Sequence, residues 1–469
     1  MLAGTGGLTI NAHGNLSSSG GGSGAQFRLG NGNGNGNTFS GGLTIGGGLV
    51  SWTDDASFGD ASNAITLANL GGLLDANQSQ TLSRDLVIDA TGGTIRTYGN
   101  STLTLAGQIS GAGDINRTDG GTLIVTNAAN THSGTWNLQG GILRVNGGGS
   151  LGTASINNGT RVDFFNDGTA GTYTNGISGA GGIRFESVAG TTYAGTINIT
   201  GNLQVGDVTN GAAVTFASGA DVTAGNLWLG ESGSVAGNVT QEAGTTIEVT
   251  NQFRVGHWPN NTSTYTMTGG SLTLSGTPGS GFETPGVVIL GIDGTGIFNQ
   301  TGGTVTAAGV GLDLRSNTGG TDQYNLDGGT LILGSKGIGG NSSSEFNLGG
   351  GTLQASADFT STKAWNLVAD SVLDAAGYAV TQQGDITGSA NLQLTAATGS
   401  LTLDTSGTQS IAAPLTGVGA VIKTGSGTTT LAGASTYTGA TTVSAGTLAV
   451  TGSLGTTAVT VADAAARGM

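Results

Sequence analysis

The sequence contains no cysteine, only 4 prolines and few charged residues among its 469 positions. Without cysteine, the chain can form neither disulfide bonds nor thiolate metal sites. Charged residues make up only 9% of the composition, and aromatic residues 5%. Small disulfide-linked scaffolds and cysteine-ligated metal proteins are therefore excluded.

Basic residues and long apolar runs are also scarce. The net charge is −15, from 13 basic and 28 acidic residues, and lysine occurs only as Lys336, Lys363 and Lys423. Because no basic stripe exists, nucleic acid is not expected as a partner. No stretch of 18 apolar residues occurs, which predicts no membrane-spanning segment. The first residues also lack the basic and apolar regions of a signal peptide.

Glycine, by contrast, is abundant, with 93 residues. The glycines show no triplet period, which excludes collagen, and a hydrophobic content of 36% argues against disorder. Glycine suits turns that need a positive φ, and a chain of short strands has such a turn at every corner.

Residues 417–450 contain the unit that recurs through the chain. Three short runs of alternating pattern lie near 421–422, 429–431 and 441–443, and each is closed by a turn that contains glycine. None of these runs is long enough to form a sheet alone. Such a unit buries its apolar face only by stacking on copies of itself, so the sequence predicts a β-solenoid.

Copies of this unit occur elsewhere in the chain. Residues 111–145 contain Gly-Ala-Gly-Asp-Ile-Asn-Arg, Gly-Thr-Leu-Ile-Val, Asn-Thr-His-Ser-Gly and Gly-Ile-Leu-Arg-Val, and shorter versions occur at 179–205, 4–8 and 37–45. The pattern resembles the passenger-associated β-strand repeat of bacterial autotransporters. In that family the unit reads Gly-Ala-Gly-Gly-Leu, Lys-x-Gly-x-Gly-Thr-Leu-x-Leu, Asn-Thr-Tyr-x-Gly and Gly-x-Leu-x-Val. The resemblance covers the smaller part of the chain.

The resemblance implies a right-handed parallel β-helix that is secreted to the bacterial surface and is often adhesive. It also implies an outer-membrane translocation barrel outside these residues. The N-terminus enters the repeat directly, and the chain stops soon after the last copy without a closing element. We therefore interpret the sequence as a fragment without caps.

We expect one continuous β-solenoid over residues 1–469. Residues 1–215 carry the passenger-type repeats, residues 216–360 carry a second form of the repeat with Leu-x-Leu-Gly corners, and residues 361–469 return to the first form. About twenty rungs, each rising about 4.8 Å, would form a rod on the order of 100 Å long.

The second form of the repeat carries one aromatic residue in each unit, ahead of a glycine pair. These aromatic residues are Tyr265, Phe298, Tyr324 and Phe346, and the corners are residues 227–230, 253–256 and 288–291. Rings at one position of successive rungs would stack along the axis of the solenoid. We therefore predict a ladder in the core, with a surface binding stripe as the alternative.

Two kinds of residue resemble catalytic or metal-binding groups. Ser150 lies in Gly-Gly-Ser-Leu-Gly, which matches the nucleophile elbow, but no helical period follows it, so we predict a turn of the repeat. His13 and His257 lie in polar loops without a second histidine at ligand spacing. His132 falls where Phe39, Tyr193 and Tyr437 fall in other copies, so packing accounts for its ring.

Paired carboxylates need attention, because β-helices also carry polysaccharide lyases and hydrolases. The nearest candidates are Asp54 with Asp55, Arg84 with Asp85 and Asp89, and Asp313 with Arg315. Neighbours in a strand point to opposite faces, so the first two can converge only in a turn. The last two share a face and are predicted to be an exposed pair.

Two further binding functions are disfavoured. Ice binding through threonine ladders would use residues 428–430 and 441–442, but the threonine spacing varies from copy to copy. Calcium binding in the Asn-Gly tract 31–37 would need aspartates, which the tract lacks, so a projecting loop is predicted there.

These observations together predict a non-enzymatic, adhesin-like passenger stalk, whose repeats support secretion and display at the cell surface. We assign no catalytic, cofactor-binding or metal-binding residue. The expected partner is a ligand or glycan on a host or environmental surface. The alternative is a carbohydrate-active enzyme, a polysaccharide lyase or hydrolase, on the same scaffold.

Overall fold

The structure is a computed structural model that describes residues 1–11, 26–30, 36–52, 54–74, 78–166, 168–187, 189–206, 211–231, 235–276, 287–291, 293–315, 320–341 and 343–462. These residues form a parallel β-solenoid of about 18 turns, close to the number expected. Their helical content is the short 3-10 helix Asp55–Phe58. Within the described part, no helix is long and apolar enough to cross a membrane.

The chain divides into two compact units, Met1–Leu203 and Gln204–Met469. One continuous body, with changes of repeat near residues 215 and 360, therefore stays a prediction. The strands of the first unit are β1 (Ala3–Gly4), β2 (Leu8–Ile10), β3 (Gln26–Leu29), β4 (Thr38–Phe39), β5 (Leu43–Ile45), β6 (Leu49–Trp52), β7 (Ile65–Leu67), β8 (Gly72–Leu74), β9 (Gln80–Leu82), β10 (Leu86–Ile88), β11 (Gly93–Arg96), β12 (Thr102–Leu105), β13 (Ile109–Gly111), β14 (Ile115–Thr118), β15 (Thr122–Val125), β16 (Thr135–Leu138), β17 (Ile142–Asn146), β18 (Ser155–Asn158), β19 (Arg161–Asn166), β20 (Gly171–Tyr173), β21 (Ile177–Gly179), β22 (Gly182–Ser187), β23 (Thr191–Tyr193) and β24 (Thr196–Ile199).

The division between the units falls within β25 (Asn202–Val205). The remaining strands, all in the second unit, are β26 (Ala212–Phe216), β27 (Asp221–Leu229), β28 (Gly237–Gln241), β29 (Thr246–Val255), β30 (Thr262–Met267), β31 (Ser271–Leu274), β32 (Val287–Leu290), β33 (Thr295–Gln300), β34 (Thr304–Ala307), β35 (Gly311–Leu314), β36 (Gln323–Leu326), β37 (Thr330–Leu333), β38 (Ile338–Gly340), β39 (Glu345–Leu348), β40 (Thr352–Ala355), β41 (Phe359–Ser361), β42 (Trp365–Leu367), β43 (Ser371–Asp374), β44 (Ala379–Gln382), β45 (Ile386–Thr387), β46 (Leu392–Leu394), β47 (Ser400–Asp404), β48 (Thr408–Ile411), β49 (Leu415–Gly417), β50 (Ala420–Thr424), β51 (Thr428–Leu431), β52 (Thr441–Val443), β53 (Thr447–Val450) and β54 (Val459–Val461).

In the first unit, most strands pair in parallel with the strand at the same place one rung further on. Leu103 of β12 pairs with Leu123 of β15, which pairs with Leu143 of β17. Side chains alternate between the two faces of a strand, so these leucines form one inward row, and all three are fully buried. The core of the unit is therefore a set of such rows running from rung to rung.

The second unit contains the aromatic ladder predicted from the repeat spacing. Tyr265, Phe298, Tyr324 and Phe346 share one register position, and Trp365 extends the row. The ring centroids of Tyr265 and Phe298 are 4.9 Å apart, and those of Phe298 and Tyr324 are 4.7 Å apart with an interplanar angle of 3°. All five side chains are buried. The predicted core ladder is confirmed.

A second ladder, made of asparagines, runs along the opposite face of the same strands. Asn299, Asn325, Asn347 and Asn366 each follow an aromatic residue of the core ladder. The Nδ2 of each of the last three donates to the Oδ1 of the asparagine one rung before, at 2.8, 2.8 and 2.9 Å. Because the strand period is two, each ring–Asn dipeptide adds one ring to the core and one amide to the outer ladder.

Two buried glutamines hold the tyrosines of the core ladder. The hydroxyl of Tyr265 donates to Oε1 of Gln241 at 2.7 Å, and the hydroxyl of Tyr324 donates to Oε1 of Gln300 at 2.7 Å. Both glutamines are fully buried. Burial raises the pKa of both tyrosine hydroxyls, which therefore remain protonated donors.

The Leu-x-Leu-Gly corners predicted from the sequence lie at the ends of three strands of the second unit. Gly230, Gly256 and Gly291 follow β27, β29 and β32, with φ values of +66°, +76° and +58°. Because this left-handed region favours glycine, each of the three corners ends in glycine. Glu231 and His257, the residues just after the first two corners, lie at equivalent places on successive rungs.

Candidate functional site

His132, the residue most like a general base, lies inside the solenoid and is 1% exposed. Its Nε2–H donates to the carbonyl oxygen of Gly113 at 2.8 Å, which leaves Nδ1 as the unprotonated nitrogen. Nδ1 has no hydrogen-bond partner among the described residues. Burial lowers the pKa of the imidazole, so the ring is neutral. The ring packs edge-on against Trp136, with centroids 5.8 Å apart, and this geometry agrees with the predicted packing role.

Ser150 lies in a half-buried turn on the rung after His132. Its Oγ accepts a hydrogen bond from the N–H of Gly152 at 3.0 Å, and its carbonyl accepts one from Nδ2 of Asn130 at 2.7 Å. The imidazole of His132 is directed to Gly113, on the preceding rung. The serine hydroxyl therefore stabilises its own turn, as the sequence predicted, and the histidine is engaged elsewhere.

Asp54 and Asp55 do lie in a turn, at the start of the 3-10 helix, but they have different contacts. Asp54 caps that helix, with Ser57 Oγ donating to its Oδ1 at 3.3 Å. Asp55 pairs with Arg84, whose Nε lies 3.1 Å from Oδ2 of Asp55. Arg84 is buried and also donates to the carbonyl oxygens of Asp55 and Gly59. The group is a brace for the loop rather than a pair of converging carboxylates.

The other carboxylate candidates also make local contacts. Asp85 accepts a hydrogen bond from the N–H of Gln108 at 2.9 Å. Asp89 accepts from the N–H of Thr91 at 2.8 Å, which lowers the pKa of this exposed carboxyl. Arg84 therefore pairs with Asp55 and not with Asp85 or Asp89, its neighbours in the sequence.

Asp313 and Arg315 form a partly exposed ion pair on the outer face of β35, as predicted.

The threonine runs at 428–430 and 441–442 do not form a flat outer ladder, because one threonine in each run points inward. Thr429 is buried and donates to Oε1 of Gln409 at 2.9 Å, and Thr441 is buried against the hydroxyl of Tyr437. These inward threonines are core residues, which weakens the ice-binding alternative.

Two predictions from the sequence lie outside the described residues. They are His13 and residues 31–35 of the Asn-Gly tract. Asn37, at the end of that tract, is buried, and its Nδ2 donates to the carbonyl oxygen of Ser57 at 2.7 Å. At Asn37, therefore, the tract joins the core instead of projecting.

Two buried cations, which sequence reasoning missed, brace the glycine turn of the repeat. Arg117 and Lys423 occupy the same place in residues 111–145 and 417–450, and both are fully buried. Arg117 donates to the carbonyl oxygens of Thr118, Asp119 and Gly121. Lys423 donates to those of Thr424 and Gly425. Turn carbonyls that leave the strand ladder need buried donors, and the shared basic residue supplies them.

The two tryptophans outside the core both lie at one corner of the second unit. Trp52, Trp136 and Trp365 are fully buried, whereas Trp258 is 46% exposed and Trp228 is partly exposed. Trp228 pairs in register with Arg254 on the next rung, and the Arg254 Cζ lies 5.5 Å from the centroid of the Trp228 ring. This is a cation–π contact on the outer face, close to Gly230 and Gly256.

At the same corner, the carboxylate of Glu231 lies between the guanidinium of Arg254 and the imidazole of His257. Oε1 of Glu231 lies 3.6 Å from NH1 of Arg254, and Oε2 lies 2.8 Å from Nδ1 of His257. The His257 ring in turn lies edge-on to Trp258, with centroids 6.1 Å apart at 90°. The parallel ladder continues past the corner, since Trp258 N donates to the carbonyl oxygen of Gly230 at 3.3 Å. Glu231 and His257 are therefore neighbours on successive rungs.

We name Trp228, Glu231, Arg254, His257 and Trp258 the tryptophan corner. The sequence signal that could have found it is Trp228, a tryptophan at the outward position of a Leu-x-Leu-Gly motif, followed one corner later by Arg254 at the same position. The described residues contain no group of three or more acidic or histidine side chains placed to hold a metal ion.

Comparison with known proteins identifies the repeat. The family model described as passenger-associated-transport-repeat matches residues 115–145 and 421–450, which lie within two of the repeat copies and include Arg117 and Lys423. No curated protein and no solved structure matches the chain at a significant level. The chain therefore carries two passenger-associated-transport-repeats in a parallel β-solenoid, which is consistent with an autotransporter passenger domain.

Proposed function

We propose that this passenger region works as a non-enzymatic, adhesin-like stalk at the bacterial cell surface. The observation that carries the proposal is the use of the repeat residues in both matched copies. Arg117 and Lys423 are buried and brace turns, and the rings of His132 and Tyr437 are buried in the core. The features that the copies share therefore build the solenoid wall and are not available to a substrate.

The residues that resemble catalysts support the same proposal. The hydroxyl of Ser150 is bonded within its own turn, and the imidazole of His132 is enclosed. Arg84 and Asp55 brace a loop. General acid–base chemistry needs groups that can reach a bound substrate, and these side chains are committed to structural contacts.

The partner in this proposal is a ligand or glycan on a host or environmental surface, bound by side chains that project from the rungs. Export would use a translocation barrel outside these residues. The test of location is protease treatment of intact cells of the bacterium that makes the protein. We expect cleavage of the chain on intact cells, and protection of the chain until the cells are opened would contradict surface display.

Enzymatic activity is tested by incubating the purified chain with neutral and uronate-containing polysaccharides and measuring new chain ends. We expect none, together with adhesion of beads coated with the chain to polysaccharide or cell surfaces. The alternative, a polysaccharide lyase or hydrolase, would be supported by chain ends that accumulate in proportion to protein. Loss of those ends in Asp313→Asn would then point to the outer face of β35, where Asp313 is partly exposed.

A further inference from the structure

We propose that the tryptophan corner binds a neutral oligosaccharide. The proposal rests on the adhesin-like function above and names the place and the chemistry of recognition. It starts from the distribution of tryptophan, because three of the five tryptophans in the chain are fully buried and the other two lie at this corner.

Trp258 supplies an apolar platform. Its side chain is 46% exposed, although an indole gains more from burial than almost any other side chain. The C–H face of a pyranose ring is apolar and flat, and it covers an indole while leaving the sugar hydroxyls at its edge. Large exposed aromatic surface next to polar groups is typical of a binding site.

Glu231 and His257 supply directed polar groups beside that platform. Nδ1 of His257 is bonded to Oε2 of Glu231, which fixes the imidazole and leaves Nε2 without a protein partner among the described residues. Glu231 is held from its other side by Arg254. A carboxylate has more lone pairs than these two contacts use, so it can also accept a sugar hydroxyl. With Nδ1–H donating to Glu231, Nε2 is an acceptor, so the pair presents two kinds of acceptor to which sugar hydroxyls can donate.

The charge of the corner favours a neutral sugar over an acidic one. The Arg254 side chain is only 5% exposed, and its guanidinium lies against the Trp228 ring and faces Glu231. Its charge is therefore already compensated by a carboxylate and is largely enclosed. An acidic sugar would bring a second carboxylate close to Glu231, and like charges at short range are unfavourable.

The experiment titrates the purified chain with maltohexaose, cellohexaose, xylohexaose and chitohexaose, using calorimetry and tryptophan fluorescence. We expect at least one to bind and to shift the fluorescence, because Trp258 passes from water to a stacked sugar. Trp258→Ala should weaken that binding by about tenfold or more, in line with loss of an aromatic anchor. The matched control is Tyr378→Ala, which removes another exposed aromatic ring of the second unit and should leave binding unchanged.

His257→Gln separates recognition from a general effect of the mutation. It keeps a polar side chain but not the imidazole held by Glu231, and we expect a several-fold loss of affinity with an unchanged circular dichroism spectrum. No binding of any of the four sugars, or binding that survives Trp258→Ala, would overturn the proposal. Tighter binding of hexagalacturonate than of the neutral sugars would also overturn it.

Bead adhesion distinguishes this proposal from the proposed function. If beads adhere equally well with wild type and Trp258→Ala, the corner is not the adhesive site and the adhesin-like function stands. If neutral sugars bind through Trp258 but the beads adhere to no surface, the corner stands and the adhesin-like function fails. Adhesion to deglycosylated protein that is lost in Trp258→Ala would assign the corner to a protein partner and overturn the saccharide proposal.

Discussion

Asp322 should make the second unit less stable as the pH rises from 3.8 to about 7. The carboxyl is fully buried just before β36, where Oδ1 accepts a hydrogen bond from the N–H of Gly296 at 2.9 Å. Oδ2 has no hydrogen-bond partner among the described residues. Burial, with a smaller contribution from the charge of Asp313, raises the pKa of Asp322 from 3.8 to about 7. The structure therefore favours the protonated acid.

The sign follows from the direction of that shift. Well below pH 3.8 the carboxyl is protonated in both the folded and unfolded chain, so it contributes no pH dependence. Between this value and about 7, the unfolded chain releases the proton and the folded chain keeps it, so the free energy of unfolding falls as the pH rises. Three pH units at about 1.4 kcal/mol each give a loss of about 4 kcal/mol, complete above the folded pKa.

Asp322→Asn removes the titration and keeps the acceptor for Gly296. The variant should therefore gain about 2 to 4 kcal/mol over wild type at pH 8 and differ little from it at pH 4. Denaturant unfolding at a series of pH values measures both chains under identical conditions, so the general effect of net charge cancels in the difference.

Asp370→Asn is the control with the opposite sign. This exposed carboxyl accepts from the N–H and Nδ2 of Asn391, and the backbone hydrogen bond lowers the pKa of Asp370. Its substitution should not stabilise the chain at pH 8. Unfolding midpoints of wild type and Asp322→Asn that change in parallel with pH would refute the reasoning.

Three further predictions test the core and the repeat. Val443 is buried and Thr442 is not, so Val443→Asp should lower the denaturation midpoint strongly and Thr442→Asp barely, and equal effects would contradict the register. His132→Tyr should fold normally by circular dichroism, as a ring of similar size, whereas His132→Asp should lower the midpoint. Lys423→Met should lose about 1 to 3 kcal/mol in denaturant unfolding because turn carbonyls lose their donor, while Lys423→Arg should be tolerated, as Arg117 holds the same place; equal losses in both would argue against the brace.

The sequence predicts the parts of this fold that depend on spacing within one rung. The strand runs of residues 417–450 and the aromatic ladder both follow from period-two alternation and the repeat length. The asparagine ladder that includes Asn325 could have been predicted from the same motif, because an asparagine follows each aromatic residue. It went unpredicted because a polar residue on an outer face looks like ordinary solvated surface.

Contacts between rungs are harder to predict, because they depend on the lengths of the intervening loops. Arg84 bonds Asp55 rather than the adjacent Asp85, and nothing in the local sequence selects that partner. Arg117 is charged, and charged residues are seldom fully buried, so its inward place contradicts the usual expectation from composition. The tryptophan corner is also a contact between rungs. Because Glu231 and His257 lie on different rungs, the local sequence does not predict that they meet.

The tyrosine–glutamine pairs of the core ladder have a consequence for how the second unit avoids misassembly. Successive rungs are similar enough that a strand could dock one rung out of place. If the strand of Phe346 docked where that of Tyr324 belongs, Phe346 would bring no hydroxyl, and Oε1 of buried Gln300 would lose its donor. The tyrosine–glutamine hydrogen bond therefore favours the correct order of rungs. The apolar contacts of the wall alone would tolerate a skipped repeat.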